Sequence, residues 1–543
     1  MRKHLLFLKG LFLLFFLPSI SFSQLNLTGF ETTGFVNLSS NVYSTNLPQN
    51  RFESGLTNLI GGITFKNNLV EIPFKFYLSN QEKKFQQPFN QLGISPVFWG
   101  WLKVNAGYFN TKVSDFTYGE SKMLGGGIET VNLPIRFGFN YGRIQQSIEP
   151  DTSARFYGKF ARDAWSFKLG YGSDKSYIDF NLFKAKDDET SLSKIIYPAS
   201  PRENAVMSFS FVLPYLEQDL NCYGEIATSI YTSDTRVQDN TEEGFYDILK
   251  PLIKLKYTSR FDGAIKFGLN YKIDRSVTLG YEGNWIGPGF TTLGYEYLQN
   301  DLFDNKLTGT FKLLNNKLNI RGNLGIRSNN LRNNKFATTN RFISSLVTSY
   351  QISNLFGFDV NFMNYGMKSD PANDSVRVDN ISNYISVSPR FNFMNFGAMN
   401  NLTFLYSYQN LENLNIISFN RTNVRSHNIL GTWNLFFKSG LNLNTSLNYT
   451  DTRLNDIGNK FTNISISASN NFLENKLFAS VNLGFYIMNS FDENNQFNGG
   501  LNLRYSLNKF GTVSAYVIRN MYNSNFNPSI NEWLANIQYN YNF

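Results

Sequence analysis

The chain ends with the stretch Trp533-Leu534-Ala535-Asn536-Ile537-Gln538-Tyr539-Asn540-Tyr541-Asn542-Phe543. Every odd-numbered position in this stretch is apolar or aromatic, and every even-numbered position from Asn536 onward is an amide. Successive side chains of a β-strand point to opposite faces. The stretch therefore predicts a strand with one apolar face and one polar, uncharged face.

The same alternation recurs upstream, with a period of two residues that no helical period of 3.6 fits. Four further stretches show it, at 267–271, 318–326, 441–449 and 501–507. In the third of these, Leu443 and Leu447 alternate with Asn444 and Asn448. The sequence therefore predicts an all-β fold.

The connections between the predicted strands alternate in length. Short turns fall near 315–317, 353–355, 394–396, 438–440, 473–476 and 508–510. Longer polar loops fall near 329–339, 370–379, 412–423, 453–460, 490–495 and 523–530. An Asn-Lys pair recurs at Asn316, Asn475 and Asn508, with Asn305 just before, and Asn tolerates the positive φ that tight hairpins require. Short turns on one rim and long loops on the other are typical of outer-membrane barrels, whose turns are periplasmic.

Hairpin spacing predicts about 12 strands between residues 317 and 543, and an even total is expected for a bacterial barrel. The N-terminal half has a similar density of strands. We therefore predict a single large antiparallel transmembrane β-barrel of about 22 to 26 strands. It occupies residues 24–543 and leaves no room for a separate soluble domain.

The composition fits a lipid-facing wall. The chain contains 52 Phe and 30 Tyr although its mean hydropathy is −0.28. No stretch beyond residue 24 reaches the roughly 18 apolar residues of a membrane helix, whereas a β-wall with aromatic girdles is rich in such rings. The single cysteine, Cys222, excludes an intramolecular disulfide.

The first residues predict export. Arg2, Lys3 and Lys9 precede the apolar run Leu11 to Leu17, and Ser21 and Ser23 occupy the positions that a signal peptidase reads. We expect a cleaved signal peptide over residues 1–23 and a mature chain that crosses the outer membrane many times, with both termini periplasmic. Removing those three charges lowers the net charge from +9 to +6. This net positive charge suits contact with anionic lipid headgroups or a lumen that favours anions. A mixed, solvated surface is the simpler interpretation.

One region lacks the regular alternation of simple β-hairpins, and its residues resemble those of a known protein family. Its features are Gln87-Pro88-Phe89-Asn90, Gly93-Ile94-Ser95-Pro96, Trp101-Leu102, Gly107-Tyr108, Gly125-Gly126-Gly127-Ile128-Glu129, Arg136-Phe137-Gly138, Tyr141-Gly142-Arg143, Lys184-Ala185-Lys186-Asp187-Asp188 and Glu203-Asn204-Ala205-Val206. This series resembles a family of outer-membrane β-barrel proteins found in Bacteroidota. The likeness covers about residues 75–210, and it implies a location and a fold but no reaction.

Within this region, residues near 87–131 predict an inserted or inward-folded segment. We interpret it as a constriction of the barrel or as a docking surface, with a long structured extracellular loop as the alternative. The residues that define the segment are Gly93, Ser95, Pro96, Trp101, Tyr108, Gly125, Gly126, Gly127 and Glu129.

The final strand also predicts an assembly signal. A terminal strand that ends in an aromatic residue resembles the signal by which assembly machinery recognises outer-membrane barrels. The residues concerned share one face and are Trp533, Ile537, Tyr539, Tyr541 and Phe543.

The sequence contains few residues in a pattern suited to catalysis or cofactor binding. After the signal peptide the chain has one histidine, His427, and the adjacent Ser426 must point to the opposite face of a strand. One Cys and one His cannot form a zinc site, and the acidic cluster at Asp187 to Glu189 lacks the spacing of a calcium loop. Gly125 to Gly127 is not followed by the Lys-Ser/Thr of a phosphate-binding loop. We expect no enzyme activity, cofactor, metal or nucleic-acid partner.

Two functions remain open from the sequence. The first is a porin-like channel or transporter for small polar solutes, because large barrels enclose a polar lumen. The second is a structural or accessory subunit of a larger outer-membrane complex for protein secretion or barrel assembly, because a wide unplugged barrel would leak. Expected partners are outer-membrane lipid, lipopolysaccharide and other outer-membrane proteins.

Overall fold

The computed structural model describes most of the chain from residue 29 onward. The described ranges are 29–80, 90–119, 121–151, 156–240, 252–295, 297–335, 337–371, 379–413, 422–455, 457–489, 493–524 and 528–543. The signal peptide predicted over residues 1–23 lies outside them, so it stays a prediction.

Strands make up nearly all of the regular structure in these ranges. They are β1 Glu31–Thr45, β2 Gly55–Lys66, β3 Val70–Ser79, β4 Gln91–Ile94, β5 Val97–Phe98, β6 Leu102–Thr111, β7 Ser121–Thr130, β8 Ile135–Gln145, β9 Arg162–Ser173, β10 Ser176–Asp187, β11 Glu203–Tyr215, β12 Leu220–Thr232, β13 Ser259–Lys272, β14 Val277–Ile286, β15 Leu302–Leu313, β16 Leu318–Ser328, β17 Ala337–Gln351, β18 Phe356–Pro371, β19 Asp379–Asn395, β20 Ala398–Asn413, β21 Thr422–Phe437, β22 Asn442–Leu454, β23 Ile457–Phe472, β24 Leu477–Asn489, β25 Glu493–Ser506, β26 Thr512–Ser524 and β27 Ile530–Asn542. Two single 3-10 turns, Leu216–Gln218 and Asn508–Phe510, lie in connections between them.

The strands form one closed antiparallel barrel. The first strand pairs with the last, with Leu38 opposite Tyr539, so the sheet has no free edge at this seam. The short strands β4 and β5 both pair with β3 and β6, so they share one position in the wall. The 27 strands therefore fill 26 positions, which confirms the predicted all-β barrel and its strand number.

None of the described residues belongs to a helix that is long and apolar enough to cross a membrane.

The two rims differ as the sequence predicts. On one rim, here called the turn rim, β23 and β24 are joined by 473–476, whereas on the opposite loop rim β12 and β13 are joined by 233–258. Asn316, Asn475 and Asn508 have φ angles of 64°, 67° and 56° in turn-rim connections, which confirms their turn chemistry. Both described ends of the chain lie at the turn rim, because Phe543 exchanges backbone hydrogen bonds with Gly34.

Two details of the predicted connections are wrong. Asn305 lies within β15, where it pairs with Gly283 and Ile326, because the Asn-Lys pair fits a strand as well as a turn. The long loop predicted at 453–460 is not present, because β22 continues to Leu454, which lies opposite Ile457 at the start of β23. Its polar residues continue the ladder instead, with Lys460 opposite Asp451.

The outward face of the barrel is apolar. Leu447 and Ile466 are 52% and 53% exposed, and large exposed apolar side chains occur on strands all around the wall. Soluble monomers rarely expose continuous apolar surface of this extent, whereas a barrel that spans a membrane presents such a band to lipid. Leu447 and Asn448 therefore lie on opposite faces, as the alternation predicts.

Candidate functional site

The inward face divides into two arcs of different chemistry. From β16 through β27 to β1, amide and hydroxyl side chains pair across neighbouring strands. Asn428 donates to Asn448 at 2.7 Å, Asn536 donates to Asn41 at 2.7 Å, and the hydroxyls of Ser446 and Ser465 lie 2.6 Å apart. A primary amide offers two donors and an acceptor with two lone pairs, so these pairs leave hydrogen-bonding capacity for the lumen. We call this surface the amide arc.

On the other arc, described segments of two loop-rim connections pack against the inward face. The first is residues 112–119, between β6 and β7, and the second is residues 287–295, which follow β14. We call them the inner loops. Both carry buried rings: Phe116 and Phe290 pack edge to face at 5.7 Å, and Tyr118 stacks on Phe183 of β10 at 5.4 Å. The inner loops and the wall thus share an apolar core inside the barrel.

The inner loops are hydrogen-bonded to each other. The hydroxyl of Thr292 donates to the carbonyl oxygen of Thr117 at 2.6 Å, and Tyr295 donates to the carbonyl oxygen of Ser114 at 3.3 Å. A parallel bridge joins Tyr118 to Gly294. The two loops therefore form one unit.

Charged residues of the wall hold this unit in place. Buried Glu225 of β12 accepts hydrogen bonds from the backbone N–H groups of Asp115 at 2.9 Å and Phe116 at 3.3 Å. Lys266 of β13 donates to Asp115 at 2.8 Å, and buried Asp262 accepts from the backbone of the second loop at 2.7 Å. Burial alone would raise the pKa of Asp115, but hydrogen bonds from Lys266 and Lys112 outweigh it and lower that pKa.

A row of glycines makes room for the core beneath the first inner loop. Gly93, Gly107, Gly125 and Gly142 lie directly opposite one another on four neighbouring strands. A β-carbon on Gly142 would lie 2.8 Å from the side chain of Met123, which is fully buried. Side chains at these positions would therefore displace the core or the neighbouring backbone.

Residues 87–89 and 120 of the predicted segment near 87–131 lie outside the described residues, and the structure places most of its described part in the wall. Ser95 and Pro96 join β4 to β5, and Trp101 lies in a turn-rim connection. Gly125, Gly126, Gly127 and Glu129 belong to β7, and Tyr108 belongs to β6 on the outward face. The part that folds inward is 112–119, within the predicted segment but away from the residues that defined it. Whether it constricts the lumen or docks a partner stays a prediction.

Glu129 is the predicted residue with the richest polar environment. Its carboxylate accepts hydrogen bonds from Lys103 at 2.9 Å, Thr111 at 3.0 Å and Asn140 at 3.2 Å. It borders a cavity of about 970 Å³. The cavity extends from Lys112, in the first inner loop, to the turn rim, where the side chain of Asp174 is fully exposed.

The five residues of the predicted assembly signal lie together on the outward face of the seam strand. Ile537, Tyr539 and Tyr541 oppose Ser40, Leu38 and Val36 of β1. Tyr541 stacks on Phe543 at 5.4 Å, and Arg519 lies over the ring of Trp533 at 5.2 Å. Recognition of this stripe by assembly machinery stays a prediction.

His427 has a structural environment on the wall. Its Nδ1 lies 3.0 Å from the hydroxyl of Tyr406, and its ring packs on Tyr408 at 4.9 Å. The described residues include no cluster of three or more His, Cys, Asp or Glu side chains that could hold a metal ion.

Sequence reasoning missed the residues that organise the inward side. Asp115, Glu225, Lys266 and Ser166 were not singled out, because polar residues at alternate positions of a strand look alike before the inner loops are placed. The signal that could have found them is the run of apolar residues on an otherwise polar face, such as Phe183 and Val206, both 1% exposed.

Known structures share a barrel with this chain at low similarity. OccAB2 of Acinetobacter baumannii has 11% identity and a TM-score of 0.31 over 68% of this chain and 98% of that chain. The siderophore receptor PirA of Pseudomonas aeruginosa has 10% identity and a TM-score of 0.41 over 94% and 80%. The FrpB iron transporter of Neisseria meningitidis has 9% identity and a TM-score of 0.38 over 95% and 82%. Likenesses this distant say nothing about a solute.

No protein-family model matches the chain, and no curated protein matches it. The family resemblance drawn from residues 75–210 therefore stays an expectation.

Proposed function

We propose that this chain is an outer-membrane, porin-like channel or transporter for small polar solutes. The amide arc is the observation that carries the proposal. A barrel with 26 wall positions is wider than the 16 to 18 strands that already leave an aqueous channel in porins. An inward surface rich in paired amides and hydroxyls can exchange hydrogen bonds with passing polar solutes.

The inner loops support a channel of restricted rather than full width. They pack on the inward side of β10 to β13 through Phe183, Glu225 and Lys266. Since the loops belong to the wall chain itself, the restriction does not require a separate plug domain. The solute path then runs along the amide arc.

The periplasmic side is the turn rim in this proposal, as in other outer-membrane barrels. Both chain ends then lie in the periplasm, the stripe at Phe543 serves assembly, and the loop rim faces lipopolysaccharide. A signal peptide over residues 1–23 accounts for export in this proposal, and the resemblance over residues 75–210 supports an origin in Bacteroidota.

Conductance in planar bilayers tests the proposal. We expect discrete channel openings and swelling of proteoliposomes in small neutral sugars. A variant that replaces residues 112–119 with a Gly-Ser linker should conduct more than the wild type. Folded protein that gives neither conductance nor swelling would contradict the channel.

A second candidate is an accessory subunit of a secretion or assembly complex. The observation in its favour is the arrangement of the inner loops, which pack on one arc and leave the amide arc to another occupant. Purification of the native protein under mild conditions tests it. A stoichiometric outer-membrane partner, together with silent bilayers, would favour the subunit over the channel.

A further inference from the structure

Three polar side chains form a compact group on the inward wall of the cavity. Asn140 of β8 lies directly opposite Ser166 of β9, and Lys168 follows on the same face, opposite Gly138. All three line the cavity of about 970 Å³, which is at the upper end of the range for small-molecule sites.

Two of these side chains have polar atoms without partners among the described residues. They are the Oγ of Ser166 and the Oδ1 of Asn140, in side chains that are 1% and 3% exposed. The amide nitrogen of Asn140 is already engaged by Glu129 at 3.2 Å and Thr111 at 3.5 Å. Buried polar atoms in native proteins nearly always have a hydrogen-bond partner. A ligand bound in the cavity would supply the partners that these two atoms lack.

The third side chain, Lys168, is a cation whose ion pair is longer than those of the other cations that line the cavity. Of the three cations that line the cavity, Lys112 and Arg136 each have a carboxylate oxygen at 2.9 Å, from Asp115 and Asp179. The Nζ of Lys168 lies 4.0 Å from Asp179, which Arg136 already holds, and 3.5 Å from the carbonyl oxygen of Lys112. Lys168 is therefore the cation best placed to take an external anion.

We propose that this cavity binds a small carboxylate that also carries hydroxyl or ammonium donors. The ammonium of Lys168 and the hydroxyl of Ser166 donate to the carboxylate of the ligand. The free Oδ1 of Asn140 accepts from one of the ligand's own donors. The class is thus the hydroxy acids and amino acids.

The acidic side chains of the cavity favour this class over simple anions. The carboxylates of Glu129 and Asp174 also line it, and they would repel an anion that has nothing to donate. A ligand with hydroxyl or ammonium groups can turn these towards the acidic side and its carboxylate towards Lys168. This inference rests on the proposed function, since it names a solute class for the same lumen.

Binding to the purified full-length protein tests the inference without any transport step. Isothermal titration would compare gluconate with three probes, namely glucose, hexanoate and sulfate. We expect the wild type to bind gluconate well above all three. Lys168→Met should weaken gluconate binding about tenfold or more, as loss of a charge-assisted hydrogen bond does, and Lys168→Arg should restore part of it. Lys75→Met removes an exposed cation of β3, outside the cavity, and should bind as the wild type does.

Heat-modifiable gel mobility checks that each variant is a folded barrel. Equal binding of glucose would overturn the role of the carboxylate, and equal binding of hexanoate or sulfate would overturn the role of the donors. If the folded wild type binds no gluconate, or if Lys75→Met weakens binding as much as Lys168→Met, the site is wrong. The proposed channel function is tested separately, by conductance in planar bilayers.

Discussion

Tyr43 of β1 donates a hydrogen bond of 2.7 Å to Glu532 of β27, and so joins the first and last strands of the wall on its inward face. Both side chains are 5% exposed. Arg51, from the connection after β1, lies 3.5 Å from the same carboxylate. The seam of the barrel is thus held by side chains as well as by the backbone ladder.

Tyr43→Phe should weaken this seam. Removing the hydroxyl leaves a buried carboxylate with one partner fewer, at a cost of about 1–3 kcal/mol in the free energy of unfolding. Urea unfolding in lipid vesicles, followed by tryptophan fluorescence, measures it. Tyr505→Phe, on the outward face, is the matched control and should change little. Equal losses in the two variants would mean that the Tyr43 bond has no special part in closure.

The two faces of β22 should respond differently to a charge. Leu447→Arg places a cation in the lipid-facing band and should destabilise the barrel by roughly 2–4 kcal/mol if the residue lies near the midplane. Asn448→Arg points into the lumen, where it loses only the bond from Asn428. Unfolding free energies of the two variants in vesicles decide the matter, and similar values would contradict the assigned register.

Acid should loosen the first inner loop. The pKa of Asp115 is lowered from its ordinary value of 3.8, so its contribution is present above that value and is lost as the pH falls through the lower, folded-state pKa. Its pair with Lys112 lies within the loop, whereas its partly exposed pair with Lys266 joins the loop to the wall and contributes roughly 1 kcal/mol. The displaced loop should therefore become about fivefold more populated below the folded-state pKa.

Single-channel recordings at pH 6 and pH 3 measure this change as added current noise or larger openings. Asp115→Asn mimics the protonated residue, so it should show the loosened behaviour already at pH 6. A variant that still responds to acid as strongly as the wild type would place the sensitive group elsewhere.

The C-terminal half could be predicted from the sequence because each of its faces meets one medium. Apolar residues such as Leu447 and Ile466 face lipid, and polar residues such as Asn448 and Ser465 face water. The apolar and polar residues therefore alternate with a clear period of two. In the N-terminal half the inward face meets protein, and Phe183 and Val206 interrupt the polar positions. The inner loops were unpredictable in detail because their partners, such as Glu225 and Phe116, are far apart in sequence.

The cavity could not be predicted for a related reason. Ser166 and Lys168 have the same alternating context as any lumen-facing pair, and only the position of the first inner loop encloses them. Their missing partners are a property of the packed structure. No local pattern records them.

The terminal aromatic residue should matter more for assembly than for stability. The ring of Phe543 covers Gly34, where a β-carbon would lie 2.9 Å from it, and the backbone of Phe543 bonds to Gly34 at 2.8 and 3.0 Å. If the outward stripe is the assembly signal, deleting Phe543 should lower the amount of folded barrel in the outer membrane. An unclosed barrel exposes a strand edge with unpaired backbone groups, which favours aggregation and degradation.

Phe543→Ala separates the ring from the backbone, because it keeps both bonds to Gly34. We expect it to reduce outer-membrane abundance nearly as much as the deletion does, since recognition would read the ring. The molecules that do insert should unfold within about 1 kcal/mol of the wild type, because a single terminal side chain is a small part of the wall. Gel mobility before and after heating, together with outer-membrane abundance, measures both effects. If Phe543→Ala is as abundant as the wild type and only the deletion is reduced, the loss comes from the backbone bonds to Gly34. If both variants are as abundant as the wild type, the assembly machinery recognises another part of the chain.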